Sequence, residues 1–423
     1  MKVAGSVRVP GDKSITHRVL LLAALARGTS HIGGALTSLD ARSTARVLRQ
    51  LGAELSPLRP GTPVTVRGKE RFRRPDSSLF CGNSGTTTRL LLGLLSAHRF
   101  SATLTGDRSL RRRPMRRVTV PLSNMGARFS EQNGDGLPLT VRGGRLRPLH
   151  YQMPVSSAQI KSALLFAGMM GEVEVALREP TGRSRDHTER LLHAFGYGIA
   201  EKDGWVHFTP GGRLDEFDIQ IPGDPSSAAF LVGAATLAQA GELRVAGVGV
   251  NPTRTGFLTV LARMGGKVQV ENCASHFGEP VGDLTVHPAT LRGTEVPAGE
   301  IPGLIDEIPL LAVLASRAAG TTTFRQVGEL RVKESDRLGL IAENLRAVGA
   351  DAAVVGDDLV IEGSDRVPLG RVRTAADHRL AMAFAVLGTV PGARIRIDDM
   401  ACAAVSFPDF PATLRGIGAG GAK

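Results

Sequence analysis

One pattern constrains this chain more than any other. An amphipathic stretch ends in an apolar residue, then Gly, then a β-rich stretch, six times over. It stands at Leu51-Gly52-Ala53, Met125-Gly126-Ala127, Phe195-Gly196-Tyr197, Met264-Gly265-Gly266, Val348-Gly349-Ala350 and Ile417-Gly418-Ala419, with the glycines 74, 70, 69, 84 and 69 residues apart. Glycine there has a local cause, since the residue after a helix often turns into the left-handed region, where a Cβ is costly. A further helical segment recurs between these points, at 14–27, 85–98, 158–170, 226–240, 307–319 and 377–387. With β-rich pieces on both sides of each helix, the repeat reads as βαβαββ and the class as α/β (α+β). Such a unit is longer than the usual solenoid repeat of about 20–50 residues. Closed globular domains are therefore expected, three copies to each of two similar domains, and 423 residues suffice for them.

The composition is that of a globular chain, 42% hydrophobic and 22% charged. At this length a core needs no disulfide staples. Cys81, Cys273 and Cys402 are far apart and form no C-x-x-C pair, which speaks against a disulfide framework or a zinc ribbon and for a reducing compartment. No apolar run approaches 18 residues and no leader pattern opens the chain, so membrane insertion and secretion are not expected and a cytoplasmic location is. The 52 Lys and Arg against 40 Asp and Glu leave a net charge of +12, with six arginines between Arg108 and Arg117. That excess suits nucleic acid, a membrane surface or small anionic substrates. Aromatics are only 4% of the chain, which leaves few stacking platforms for single-stranded nucleic acid.

Four of the recurrent helices start from polar turns: Gly11-Asp12-Lys13-Ser14, Gly82-Asn83-Ser84-Gly85, Ser156-Ser157-Ala158-Gln159 and Gly223-Asp224-Pro225-Ser226. Singly, each reads as an N-cap. Together they offer several helix N-termini suited to phosphates and carboxylates, and Arg18 and Arg89 follow one turn after Ser14 and Gly85. Gly11-Asp12-Lys13-Ser14 lacks the spacing of a P-loop, and Gly416-x-Gly418-x-x-Gly421 has no βαβ unit after it. The run Arg331-Val332-Lys333-Glu334-Ser335-Asp336-Arg337 reads as the opening of a helix with Lys333 and Arg337 on one face. Such a pair calls for an anion, or for an exposed network with Glu334 and Asp336. Asp377-His378-Arg379 opens another helix, and Asp306, just before an apolar helix, is either an N-cap or a general base.

These motifs, in order from Gly11 to Phe410, resemble the 5-enolpyruvylshikimate-3-phosphate synthase family: Gly11-Asp12-Lys13-Ser14-x-x-x-Arg18, Gly82-Asn83-Ser84-Gly85-Thr86, Arg331 to Arg337, and Asp377-His378-Arg379. The resemblance implies the enolpyruvyl transferase fold, two domains of three βαβαββ units each that close on the substrates. The first would span 12–223, the second 1–11 plus 224–423. It implies transfer of the enolpyruvyl group of phosphoenolpyruvate to the 5-hydroxyl of shikimate 3-phosphate with release of phosphate, through a tetrahedral ketal. No metal or organic cofactor is implied, and neither is a nucleic acid or a membrane; a monomer is expected.

Carried over by residue, the resemblance places Lys13, Ser14, Arg18, Ser157, Ala158 (through its backbone), Gln159, Arg185, Asp306 and Lys333 at shikimate 3-phosphate. It places Lys13, Gly85, Arg113, Gln159, Arg337 and Arg379 at phosphoenolpyruvate. Asp306 is the implied proton acceptor for the 5-hydroxyl and Glu334 the implied proton carrier at the methylene, with Lys13 also catalytic. Val405 and Glu329 stand where the better-known branch has a lysine and an asparagine. Together with Ser157-Ala158-Gln159 and Arg185-Asp186-His187 they resemble the second branch, which includes glyphosate-tolerant members. Glyphosate is thus an inhibitor to test, since Gly85 leaves room where tolerance often goes with a methyl group. The nearest alternative is the sister transferase acting on UDP-N-acetylglucosamine, which relies on a mobile-loop cysteine near the place of Arg113, where this chain has none. A nucleic-acid-binding protein is the alternative of another class.

Overall fold

Helices Leu39–Gln50, Arg116–Met125, His187–Ala194, Gly256–Arg263 and Arg337–Ala347 each run into one of the recurrent glycines. Gly52, Gly126, Gly196, Gly265 and Gly349 all have φ between +78° and +114°, so the recurrent Gly serves a conformation that other residues reach only with strain. The protein is a computed structural model that describes residues 2–131 and 134–418. The sixth copy ends in the helix Phe410–Gly418; Ala419 and Gly421, part of two of the glycine patterns, lie outside the described residues.

The chain divides into two compact units, one of Gly11–Ile221 with His276–Glu279, the other of Met1–Pro10, Pro222–Ser275 and Pro280–Lys423. The first carries three four-stranded sheets. In the second copy, Leu79–Phe80 lies parallel to Ser101–Thr105 with the helix Gly85–Leu95 as crossover. After the helix Arg116–Met125, the strands Arg128–Glu131 and Leu139–Arg142 close the sheet as an antiparallel hairpin. That is the βαβαββ order read from the sequence. Asp218–Gln220, from the end of this segment, supplies the parallel edge strand of the first copy beside Thr29–Gly33.

The other unit repeats the scheme with one departure. Gly5–Val7 pairs in parallel with Leu243–Gly249, so the chain's start completes the fourth copy, and Glu295–Val296 opens the fifth. The sixth copy is shorter than the expected six elements. Among the described residues its sheet has two parallel strands, Leu369–Val372 and Arg394–Ile397, and the helix Phe410–Gly418 comes where a closing hairpin would need more chain.

A second departure concerns 224–423, expected to lie in one domain. His276–Glu279 belongs instead to the unit of Gly11–Ile221, because of what it packs against. The Phe277 ring lies 5.8 Å from Phe195 and 6.1 Å from Phe217, Glu279 Oε1 is 2.7 Å from His187 Nδ1, and Arg190 donates to Gly278 O at 2.7 Å.

The crossover helices form the centres. In Lys13–Leu25 and Gly85–Leu95 all but one residue is buried, and in Ala158–Gly171 the run Ile160–Met169 is, as expected of helices packed on all faces, whereas strands such as Thr29–Gly33 alternate outward and inward. The second and third of these helices touch backbone to backbone at Gly93, where a Cβ would stand 2.0 Å from Ala163 O. Gly93→Ala is therefore expected to force the helices apart and destabilise the protein by about 1–3 kcal/mol, read as a lowered midpoint in urea.

Candidate active site

The start of Lys13–Leu25 is fixed by Asp12, whose Oδ1 accepts from Ile15 N at 2.8 Å. Lys13 Nζ is 3.4 Å from Asp40 Oδ2 and keeps some exposure. Arg18, 2% exposed, is held by neutral acceptors: Nε donates to Thr188 Oγ1 and Nη2 to Ser162 Oγ, both at 2.7 Å, and Nη1 to Ser14 O at 2.9 Å. Arg185 Nη1 donates to Ser14 Oγ at 3.2 Å. Burial pulls the Arg18 guanidinium down to about 10, partly offset by the nearby Glu189 carboxylate.

A buried chain of side chains ties this helix to the next. His17 Nδ1 lies 2.7 Å from Thr44 Oγ1, which lies 2.6 Å from Thr87 Oγ1, and Thr87 donates to Ser84 Oγ at 2.7 Å. Ser84 in turn caps the helix Gly85–Leu95 by accepting from Thr87 N. Burial, reinforced by the Lys13 and Arg18 charges, lowers His17 to about 3, so the imidazole is neutral at physiological pH.

Around the Gly85 turn, Arg113 Nη2 donates to Asn83 Oδ1 at 2.5 Å, and Asn83 Nδ2 donates to Asp107 at 2.6 Å. Arg89 donates to Gln159 Oε1 at 2.5 Å and to Pro114 O at 3.1 Å, while Gln159 Nε2 donates to Thr86 Oγ1 at 3.0 Å. A Cβ on Gly85 would stand 2.9 Å from Arg89 Nη1 and 3.2 Å from Arg113 Nη1, so this glycine faces two guanidinium groups. Ser157, at the N-cap of Ala158–Gly171, makes no side-chain capping bond, unlike Asp12 and Ser84. One unit thus brings together Lys13, Ser14, Arg18, Gly85, Arg113, Ser157, Ala158, Gln159 and Arg185 at the starts of three central helices and in the loops beside them.

The other unit gathers Asp306, Lys333, Glu334, Arg337 and Arg379. Arg337 is fully buried and meets three carboxylates: Asp377 at 2.8 Å, Glu334 at 2.6 Å and Asp306 Oδ1 at 3.1 Å. Burial opposes its charge, but Asp377, Glu334 and Asp306 outweigh that and raise it above the usual arginine range. Arg379 Nη2 lies 3.4 Å from Asp306 Oδ2, and its Nη1 donates to Asp306 O at 3.1 Å. The Asp306 carboxylate therefore sits between two guanidinium groups. A cleft of about 600 Å³ opens beside Glu334, Ser335 and Asp336, with Arg346 and Arg373 among its lining residues.

Two readings of this region need correction. The run from Arg331 does not open one helix with Lys333 and Arg337 on a shared face. A 3-10 turn covers Gly328–Val332, Lys333 is extended, and the α-helix begins at Arg337 because Asp336 Oδ1 accepts from Gly339 N at 3.1 Å. Asp306 is not an N-cap either. The helix Ile308–Ala315 has Glu307 at that place, and Asp306 faces the arginines. By contrast Asp377 does cap its helix, accepting from Arg379 N at 3.0 Å while it holds Arg337. Lys333 is 3.9 Å from Glu329, and burial, with Arg337 nearby, lowers it against the pull of Asp306, Glu329 and Glu334. Val405 ends the short helical turn Ala401–Val405.

Arg89 is the residue the sequence reading underused. Its place four residues after Gly85 put it on the right helix face, yet its bond to Gln159 marks it as part of the same cluster as Arg113. Among the described residues no group of three or more His, Cys, Asp or Glu is placed to hold a metal ion, and no helix is long and apolar enough to cross a membrane.

Comparison with known proteins gives a consistent answer. The model of the EPSP synthase (3-phosphoshikimate 1-carboxyvinyltransferase) family matches residues 1–414. A 3-phosphoshikimate 1-carboxyvinyltransferase of Desulfitobacterium hafniense is 45% identical over 412 residues, 97% of this chain and 94% of the relative. The solved EPSP synthase of Acinetobacter baumannii superposes with a TM-score of 0.85 at 38% identity, covering 98% of this chain and 95% of its own. The enolpyruvyl transferase NikO of Streptomyces tendae, at 19% identity, shares the fold with a TM-score of 0.79 over 99% of this chain and 95% of its own.

Removing the Asp377 carboxylate leaves part of the Arg337 charge unmet in the interior. Asp377→Ala is expected to cost about 3–5 kcal/mol, measured by denaturant unfolding.

Proposed function

The chain belongs to the EPSP synthase (3-phosphoshikimate 1-carboxyvinyltransferase) family, and on that premise we propose which of its residues carry each part of the reaction. The enzyme transfers the enolpyruvyl group of phosphoenolpyruvate to the 5-hydroxyl of shikimate 3-phosphate and releases phosphate. The observation that carries the assignment of roles is the Asp306 carboxylate poised between Arg337 and Arg379, with Glu334 on the same arginine. An arriving phosphate or carboxylate competes with Asp306 for those guanidinium groups, which loosens their hold and leaves its oxygens to take the 5-hydroxyl proton.

The hydroxyl oxygen then bonds to C2 of phosphoenolpyruvate while Glu334, entering the step in its protonated form, delivers a proton to C3, giving the tetrahedral ketal. Return of a proton from the new methyl group to Glu334, with phosphate leaving C2 and carrying off the proton held by Asp306, yields the enol ether. Lys333 holds the hydroxyl side, and Lys13 neutralises charge on both ligands. Shikimate 3-phosphate is assigned to Ser14, Arg18, Ser157, the Ala158 N–H, Gln159 and Arg185. The start of Ala158–Gly171 supports this, because Ser157 gives its N–H groups no capping acceptor. Arg18 is already bonded to Ser14, Ser162 and Thr188, so it acts through its charge and its remaining N–H hydrogens. Gly85, Arg113, Gln159, Arg337 and Arg379 are assigned to phosphoenolpyruvate, with Arg89 added to them on its bond to Gln159.

Two small polyanions account for the +12 charge without nucleic acid or membrane, and one chain supplies every residue named, so a monomer suffices. The UDP-N-acetylglucosamine reading loses to the matches in name and extent, and the place of its loop cysteine holds Arg113, buried against Asn83. Membership of the second branch rests on Val405, Glu329, Ser157-Ala158-Gln159 and Arg185-Asp186-His187.

A phosphate-release assay tests the whole. Release with shikimate 3-phosphate and none with the UDP-sugar is expected, and Asp306→Ala should lower turnover by about 10²–10⁴-fold while calorimetry still detects substrate binding. Full turnover of that variant removes Asp306 from the mechanism. Gly85→Ala pushes a methyl group toward Arg89 and Arg113, so the glyphosate inhibition constant should rise by about tenfold or more, with a smaller rise in the KM for phosphoenolpyruvate.

A further inference from the structure

Behind the loop that carries Arg185 lies a buried cluster of charges that no step above uses. Lys161, its side chain 3% exposed, stands one turn into the helix Ala158–Gly171. Its Nζ is 2.9 Å from Glu179 Oε2 and 2.8 Å from Glu189 Oε1, and it donates to Ser184 O at 3.3 Å. An ammonium group has three N–H donors, and here three acceptors surround it. The same Glu179 Oε2 accepts from Ser184 N at 3.2 Å. Ser184 is thus gripped on both its N–H and its C=O, by two side chains that are themselves paired.

That grip matters because residues 179–186 have no regular secondary structure to hold them. At the near end of the segment the Ser156 hydroxyl bonds Thr181 and Gly182; at the far end the Lys161 and Glu179 side chains hold Ser184. The next residue is Arg185, whose guanidinium reaches Ser14. One step further, the Lys161–Glu189 pair runs beside the Thr188 to Ser162 hydrogen bond of 2.6 Å, between the same two helices, and Ser162 and Thr188 are the acceptors that hold Arg18. Stability alone is a weak reason for such a cluster, since well-packed apolar side chains often replace a buried ion pair at no loss.

We propose that Lys161 is a positioning residue for the shikimate 3-phosphate subsite, acting through Ser184 on Arg185. It rests on the assignment of Arg185 to that substrate. Its role is to hold the loop in the binding geometry before the ligand arrives, so that the ordering cost is not charged against affinity.

The test is a double-mutant cycle read by calorimetric binding of shikimate 3-phosphate alone, with steady-state KM for both substrates. Lys161→Met leaves two carboxylates without their cation, so the charge-balanced Lys161→Met/Glu189→Gln variant is measured beside it, and the cycle is read on whichever keeps the native circular dichroism. Shikimate 3-phosphate should bind about tenfold more weakly, with the KM for phosphoenolpyruvate within about twofold of the parent. In an Arg185→Ala background the same change should cost less than about twofold, because the residue it positions is gone. An equal loss in both backgrounds, or no loss in either, overturns the positioning role and leaves the subsite assignment standing. Arg185→Ala binding shikimate 3-phosphate as tightly as the parent overturns that assignment, and the positioning role with it.

Discussion

Taking a guanidinium group out of water costs several kcal/mol unless acceptors meet it in the interior, and both units of this protein are organised around such a group. Arg337 is met by charge: Asp377, Glu334 and Asp306 converge on it. Arg18 is met by neutral groups, two hydroxyls and a carbonyl. The two solutions have different consequences. Arg337 fixes three carboxylates at set distances, two of them the groups assigned to move protons. Arg18 keeps a positive field that its contacts do not cancel, near Arg185 and Lys13, at the place proposed for a dianion.

The repeat explains why cations and helix starts coincide. Each copy sends a crossover helix through the middle of its unit, and a polar turn precedes that helix. Asp12, Ser84 and Asp224 cap three such starts with their own side chains. The start at Ala158 has no side-chain cap from Ser157, and two turns of chemistry follow from it: Gln159 joins Arg89 and Thr86, and Ser162 joins Arg18. A fold made of repeated packing units thereby places binding groups from distant parts of the chain side by side.

Much of this was legible because it is local. A glycine after a helix is demanded by its own φ, so the echo at Gly52 through Gly349 reported real helix ends. Cap residues at Asp12, Ser84 and Asp377 likewise need only their next three residues. What the sequence could not show depends on distant partners. A charged run reads equally as a helix face or as a cap, and the capping bond of Asp336 to Gly339 decides against the face of Lys333 and Arg337. The transfer of His276–Glu279 to the other unit turns on Phe195, Phe217 and His187, about 60–90 residues away by position, and no local pattern announces that. The short sixth sheet follows from the helix Phe410–Gly418 occupying the stretch where a hairpin was expected.

The same distinction separates the residues proposed to touch substrate from those that hold them. Lys13, Arg113, Arg337 and Arg379 lie in short motifs, because a binding group and its helix start or loop are neighbours in sequence. Lys161 and Glu189 only end stretches read for other residues, Glu179 lies in none, and their meaning appears only where one ammonium group joins a helix, a strand end and a second helix. The His17, Thr44, Thr87 and Ser84 chain is of the same kind, spanning three helices with one hydrogen bond per step. Each link is worth only about 1 kcal/mol net, yet leaving any of these buried groups unmet costs more than that. Such chains therefore favour one arrangement of the helices over its near neighbours, and a reaction that must bring an oxygen to a vinyl carbon at bonding distance depends on that selection.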